Sequence, residues 1–188
     1  MRADKREEAV KHLRAAIKLF DELATEFTKV PIYRESLAIA QRVLGQHLGG
    51  GALQSGEAKK LRRASLKLFE DLASEFPTVP SYYHGCAESA LYLGAELAEA
   101  GQHQEAEKAY RRAFQAYGKL FEEFPVIGDY LWGVREARRG LVNLLKSTGR
   151  PQDATAVCGQ AIEVYEKLLS KYPNRVVFRV ELAKAYGL

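Results

Sequence analysis

Residue types that do chemistry are present in this chain, but their spacing gathers them nowhere. The four histidines, His12, His47, His84 and His103, stand far apart in sequence. His84-Gly85-Cys86 offers two metal-type ligands and no third one nearby, which reads as a surface histidine beside a packed cysteine. The two cysteines, Cys86 and Cys158, are too few for a disulfide framework or a four-ligand zinc site. They point to a reducing, cytoplasmic setting. Ser65 and Ser89 lack His and Asp partners at a readable spacing, and the pairs Glu7-Glu8 and Glu122-Glu123 read as solvated helix faces. Gly49-Gly50-Gly51 could cradle a phosphate only after a strand. The apolar spacing on either side of it is helical, so it reads as a turn between helices. The expectation is a protein with no catalytic residue, no metal, no cofactor and no enzymatic activity.

What must position any functional side chain is a repeat. The chain has 188 residues, 47% hydrophobic and 28% charged, values suited to one globular domain or one short repeat array. The segments LFDELATEF, LFEDLASEF, AYGKLFEEF and VYEKLLSKY end at Phe27, Phe76, Phe124 and Tyr172, which are 49, 48 and 48 residues apart. A breaker follows each: Thr28, Pro77, Pro125 and Pro173. The same step links Tyr33, Tyr82, Tyr130 and Phe178, and upstream it links Ala9, Ala58, Ala106 and Ala154. Within a unit, Val10, Leu13, Ile17, Phe20, Ala24 and Phe27 step by threes and fours and form one apolar stripe. Strand-type alternation is missing. The pattern predicts about eight helices, at 5–27, 31–48, 56–76, 80–99, 103–124, 129–147, 151–172 and 175–187. The fold class is all-α, with antiparallel helix hairpins stacked as a solenoid. Residues 1–30 form a capping helix, 31–77, 78–126 and 127–173 three repeats, and 174–188 a partial repeat.

The residues resemble the tetratricopeptide repeat family. Leu93-Gly94-x-x-Leu97, Gly101, Glu105-Ala106, Tyr110 and Ala113 follow its helix-pair signature. Leu141, Leu145, Gly149, Asp153-Ala154 and Ala161 repeat it, with Val142 for the helix glycine and Cys158 for the aromatic. Leu44-Gly45-x-x-Leu48 and Glu57-Ala58 form a third copy, with Arg62 at the aromatic position and Ser65 at the alanine. The unit of about 48 residues departs from the family's usual 34 and is similar to long-unit repeats of bacterial multidomain proteins, some of which also carry a kinase domain. This chain has no kinase motif. The resemblance covers essentially the whole chain and implies a right-handed α-solenoid that binds proteins.

It also implies a concave groove lined by the inner helix of each unit. Carried over by register, the groove face shows Glu35, Ile39, Arg42 and Gln46, then His84, Glu88, Leu91 and Ala95, then Trp132, Glu136, Arg139 and Asn143. Arg42 with Gln46, and Arg139 with Asn143, place a guanidinium and an amide one turn apart, suited to a carboxylate or a peptide backbone. Trp132, the only tryptophan, offers an apolar anchor. The candidate partner-binding residues are therefore Arg42, Gln46, His84, Glu88, Trp132, Arg139 and Asn143. The family's five-residue carboxylate clamp is incomplete, because Tyr92 stands where it needs Asn.

Partners other than a protein or peptide meet counter-arguments. The net charge of +4 is mild, and basic and acidic residues alternate along most of the chain. Lys59-Lys60-Leu61-Arg62-Arg63, Arg111-Arg112 and Arg138-Arg139 fall on different helix layers, which disfavours one nucleic-acid stripe. The amino-terminal stretch is charged, and no apolar run reaches the roughly 18 residues of a membrane span. The last helix is apolar all along, from Val176 to Tyr186, with nothing after it to pack on. It is expected to be a cut edge or a face that pairs with a second copy.

Overall fold

The aromatic anchors and the breakers after them decide where the helices stop. In the computed structural model, which describes residues 2–48, 56–125 and 128–187, the chain forms α1 (Arg2–Glu26), α2 (Pro31–Leu48), α3 (Gly56–Glu75), α4 (Pro80–Glu99), α5 (His103–Glu123), α6 (Gly128–Ser147), α7 (Pro151–Lys171) and α8 (Val176–Tyr186). No strand occurs among the described residues. Phe27, Phe76, Phe124 and Tyr172, expected to end their helices, are instead the first residues past them. Each still donates its N–H to the carbonyl four residues back at 2.8 Å. Each ring then packs on the first aromatic of the next helix, at 5.8 Å for Phe27–Tyr33, 6.1 Å for Phe76–Tyr82, 6.3 Å for Phe124–Tyr130 and 6.2 Å for Tyr172–Phe178. One corner is thus built four times.

The corners after α4 and α6 use a different device. Gly101 and Gly149 adopt φ of 72° and 75°, the left-handed conformation that closes a helix with little cost only at glycine. Gln102 then donates to the Leu97 carbonyl and Arg150 to the Leu145 carbonyl, both at 2.8 Å. The Gly49-Gly50-Gly51 turn and Leu188 lie outside the described residues.

Stacking follows from large rings meeting small residues. Phe69 packs on Gly85 and Tyr117 on Gly133, where a Cβ would come within 2.3 Å and 2.2 Å of the ring. Tyr110 lies between Gly94 and Gly140. Phe69, Tyr117 and Tyr165 are fully buried, and the core runs continuously from α4 to α8. Each helix packs on its chain neighbours, giving an α-solenoid of helix hairpins. In addition the backbone of α2 approaches that of α4, α4 approaches α6 and α5 approaches α7, whereas α3 and α5 meet through side-chain ion pairs without close backbone approach. From α2 to α6 the even-numbered helices therefore form the tighter, inner layer.

Where Arg62 and Ser65 replace the expected aromatic and alanine, the interior is polar. The Arg62 guanidinium pairs with the Glu96 carboxylate and donates to the Gly45 carbonyl at 3.0 Å. The Ser65 and Ser89 hydroxyls meet at 3.1 Å. This seam ties α3 to both α2 and α4. At the amino-terminal end none of the described side chains of α1 is fully buried. That helix is held by Arg6 Nε donating to the His47 carbonyl at 3.0 Å and by an Arg14–Glu57 pair at 2.9 Å. At the other end α8 leaves Val176 68% and Tyr186 62% exposed.

Candidate groove on the inner helices

The residues of one groove row come from helices that the repeat holds side by side, so their chemistry depends on what the neighbouring helix presents. Arg42 of α2 meets Glu88 of α4 at 2.7 Å, and both side chains are largely covered. A guanidinium expected to face a ligand is thus already neutralised across the α2–α4 contact. His84 lies one turn before Glu88. Its ring sits 5.3 Å from that of Tyr130 and 5.8 Å from that of Tyr117. Burial there holds the imidazole below its ordinary pKa; Glu88 opposes the shift and Arg42 adds to it. Arg42, Glu88 and His84 together form a wall. Gln46 is half-buried at the end of the same row.

α6 presents a different surface. Trp132 is 42% exposed, the Arg139 side chain is 69% exposed and Asn143 is exposed. They are seven and eleven residues on from the tryptophan, two and three helical turns, and so share one face. Arg139 pairs with Glu136 on its own helix, an ion pair in solvent that a ligand can displace. On α2, Ile39 adds an exposed apolar side chain. Leu91 does not belong to this surface: it is buried in the core.

Two features were not found from the sequence. Tyr92, noted only for the Asn it displaces, is half-buried among the charges of Glu88, Arg42, Arg62 and Glu136, and its hydroxyl is raised mainly by burial. Arg138, grouped with Arg139 as a surface base, is 5% exposed. The other basic runs resolve into ion pairs between outer helices, Arg63 with Glu105 at 2.6 Å and Arg112 with Glu70, and within one, Arg111 with Glu107 at 2.8 Å. Among the described residues no three His, Cys, Asp or Glu side chains are grouped as metal ligands. Cys86 and Cys158 are free and buried, and burial pushes the Cys86 thiol up to about 11. No described helix is long and apolar enough to cross a membrane.

Residues 86–125 and 134–174 match the family described as tetratricopeptide repeat. In these two stretches the chain carries tetratricopeptide-like repeats. The matched stretches fall on the pairs α4–α5 and α6–α7; the pair with Arg62 and Ser65 lies outside them. No curated protein matches the chain. Among solved structures, a thermophilic tetratricopeptide repeat protein of Thermus thermophilus is similar over 100% of this chain and 97% of that one, at 20% identity and a TM-score of 0.38. Tetratricopeptide repeats are generally protein–protein interaction scaffolds and are typically non-catalytic.

Proposed function

We propose that this protein is a non-catalytic, cytoplasmic scaffold that holds a peptide or protein surface along its inner helices. The helix pairs α2–α3, α4–α5 and α6–α7 serve as its three units. The observation that carries the reading is the face of α6, where an exposed tryptophan, an arginine and an amide stand in line. Trp132 supplies apolar area at low entropic cost, while Arg139 and Asn143 supply donors for a backbone or a carboxylate. Arg42, Glu88 and His84 shape the adjoining wall. The test is a pull-down with the intact chain and with Trp132→Ala/Arg139→Ala, each with and without nuclease. A protein held by the intact chain, lost in the variant and indifferent to nuclease supports the groove. Retention of the same proteins by both, or of nucleic acid alone, sinks it.

A second reading rests on α8, whose Val176, Val177, Val180 and Tyr186 are exposed. A second copy pairing on this face would cover them. Light scattering across a wide concentration range decides: a mass that rises towards twice the monomer supports pairing, and a strict monomer throughout rules it out.

A further inference from the structure

Because the even-numbered helices share a register, positions that change type between units mark where the array departs from plain stacking. Ala87 and Ala90 of α4 are fully buried; their counterparts on α6 are Arg135 and Arg138. Gly133, which admits the Tyr117 ring, has Glu181 of α8 as its counterpart beside Tyr165. Three small residues are thus replaced by two guanidiniums and a carboxylate. The helices respond: α4 packs on α6, yet no Cα of α6 comes within 8 Å of one in α8.

The space between them is a pocket of about 380 Å³ lined by Arg135, Glu136, Arg138, Arg139, Glu181 and Lys184. Glu181 is shared by Arg135 at 3.2 Å and Lys184 at 2.9 Å, and Glu136 is paired with Arg139. Arg138 is left over. Its Nε and Nη1 are buried without a hydrogen-bond partner, as are Oε2 of Glu181, which Arg135 approaches only as an ion pair, and the hydroxyl of Tyr165, which lies close enough to feel the charge of Arg138. Four cations face two carboxylates across this lining. A buried guanidinium without a counter-charge is strongly unfavourable, and arginine cannot escape by losing its proton.

We propose that this pocket binds an oxyanion group, a carboxylate or a phosphate, with Arg138 as its anchor. The group supplies the missing counter-charge and accepts from donors that otherwise have no partner. The inference rests on the buried charge rather than on the peptide-binding reading. Arg139 lines the pocket and also belongs to the exposed face of α6, so the pull-down is repeated with Trp132→Ala alone and with Arg138→Met: loss in the first reports on the exposed face, and anion binding reports on Arg138.

The test is calorimetric titration of the intact chain, Arg138→Met and Arg138→Lys at constant ionic strength. The probes are inorganic phosphate, glutarate, and acetylated tetra-alanine as the free acid or the amide. The intact chain should bind at least one anion saturably. Arg138→Met, which keeps the length and removes the charge, should weaken binding roughly tenfold or more, and Arg138→Lys should fall between. Melting curves show that Arg138→Met is folded, and without ligand it should melt no lower than the intact chain. Preference for the peptide acid over its amide and over glutarate assigns the group to a chain end; equal or better binding of glutarate or phosphate assigns it to a small anion. Absence of binding by every probe, or binding that Arg138→Met leaves unchanged, overturns the site.

Discussion

Replacing Gly133 by alanine puts the stacking mechanism to a quantitative test. The new Cβ would stand 2.2 Å from Cε1 of Tyr117, 2.3 Å from Cδ1 and 2.4 Å from Cζ. Carbon atoms in ordinary contact sit at about 3.5–4.0 Å, so ring or helix must shift by roughly 1 Å or more. The ring has nowhere to go, since Tyr117 is 0% exposed and is packed against His84. Overpacking of this kind belongs at the upper end of its usual range, about 3 kcal/mol. Alanine's better helix propensity returns about 1 kcal/mol. The net loss is about 2 kcal/mol, a fall in melting temperature of roughly 4–8 °C for a chain of this size. Gly118 on α5 is the control, because a Cβ there meets nothing within 4 Å. Gly118→Ala should therefore stabilise by about 0.5–1 kcal/mol. Urea unfolding and calorimetry on both variants read the two signs. If Gly133→Ala is as stable as the parent, or both substitutions move stability the same way, the ring-into-glycine account of stacking is wrong.

Two further perturbations probe the buried polar groups. Arg62→Met strands the Glu96 carboxylate, and with both side chains nearly covered the loss should be about 3–5 kcal/mol, whereas Arg62→Met/Glu96→Leu should recover most of it; urea midpoints that rank the double variant below the single one would refute this. His84, held below its ordinary pKa chiefly by burial, takes up its proton in the unfolded chain before it does in the folded one. Its contribution is therefore complete above about pH 6.5 and is lost as pH falls through the lower native value. Melting temperatures at pH 7.5 and 5.5 should converge in His84→Gln relative to the parent, and an unchanged difference would exclude a role for this imidazole.

Helices, corners and units follow from local chemistry and were legible in the sequence. The three-and-four spacing of apolar side chains forces helices. An aromatic anchor, a breaker and a second aromatic recur at a fixed step and make one corner four times, while Gly101 and Gly149 stop helices because other residues resist their backbone angles. The sequence pattern places the ends of α1, α3, α5 and α7 one residue too late, since Phe27 and its three counterparts keep a helical hydrogen bond after leaving the helix. What the sequence left open is which charges meet. Arg42 and Arg139 occupy equivalent positions, yet one is covered by Glu88 of the next inner helix and the other stands in solvent beside Glu136. Arg138 and Arg139 are neighbours in the chain and differ completely in burial. Pairing across a helix interface depends on how closely two backbones approach, and that distance is set by the side chains of both helices and the rings wedged beneath them. Local periodicity determines each helix and its face; only their packing decides which guanidinium is a wall, which stands in solvent, and which is buried with unpartnered donors.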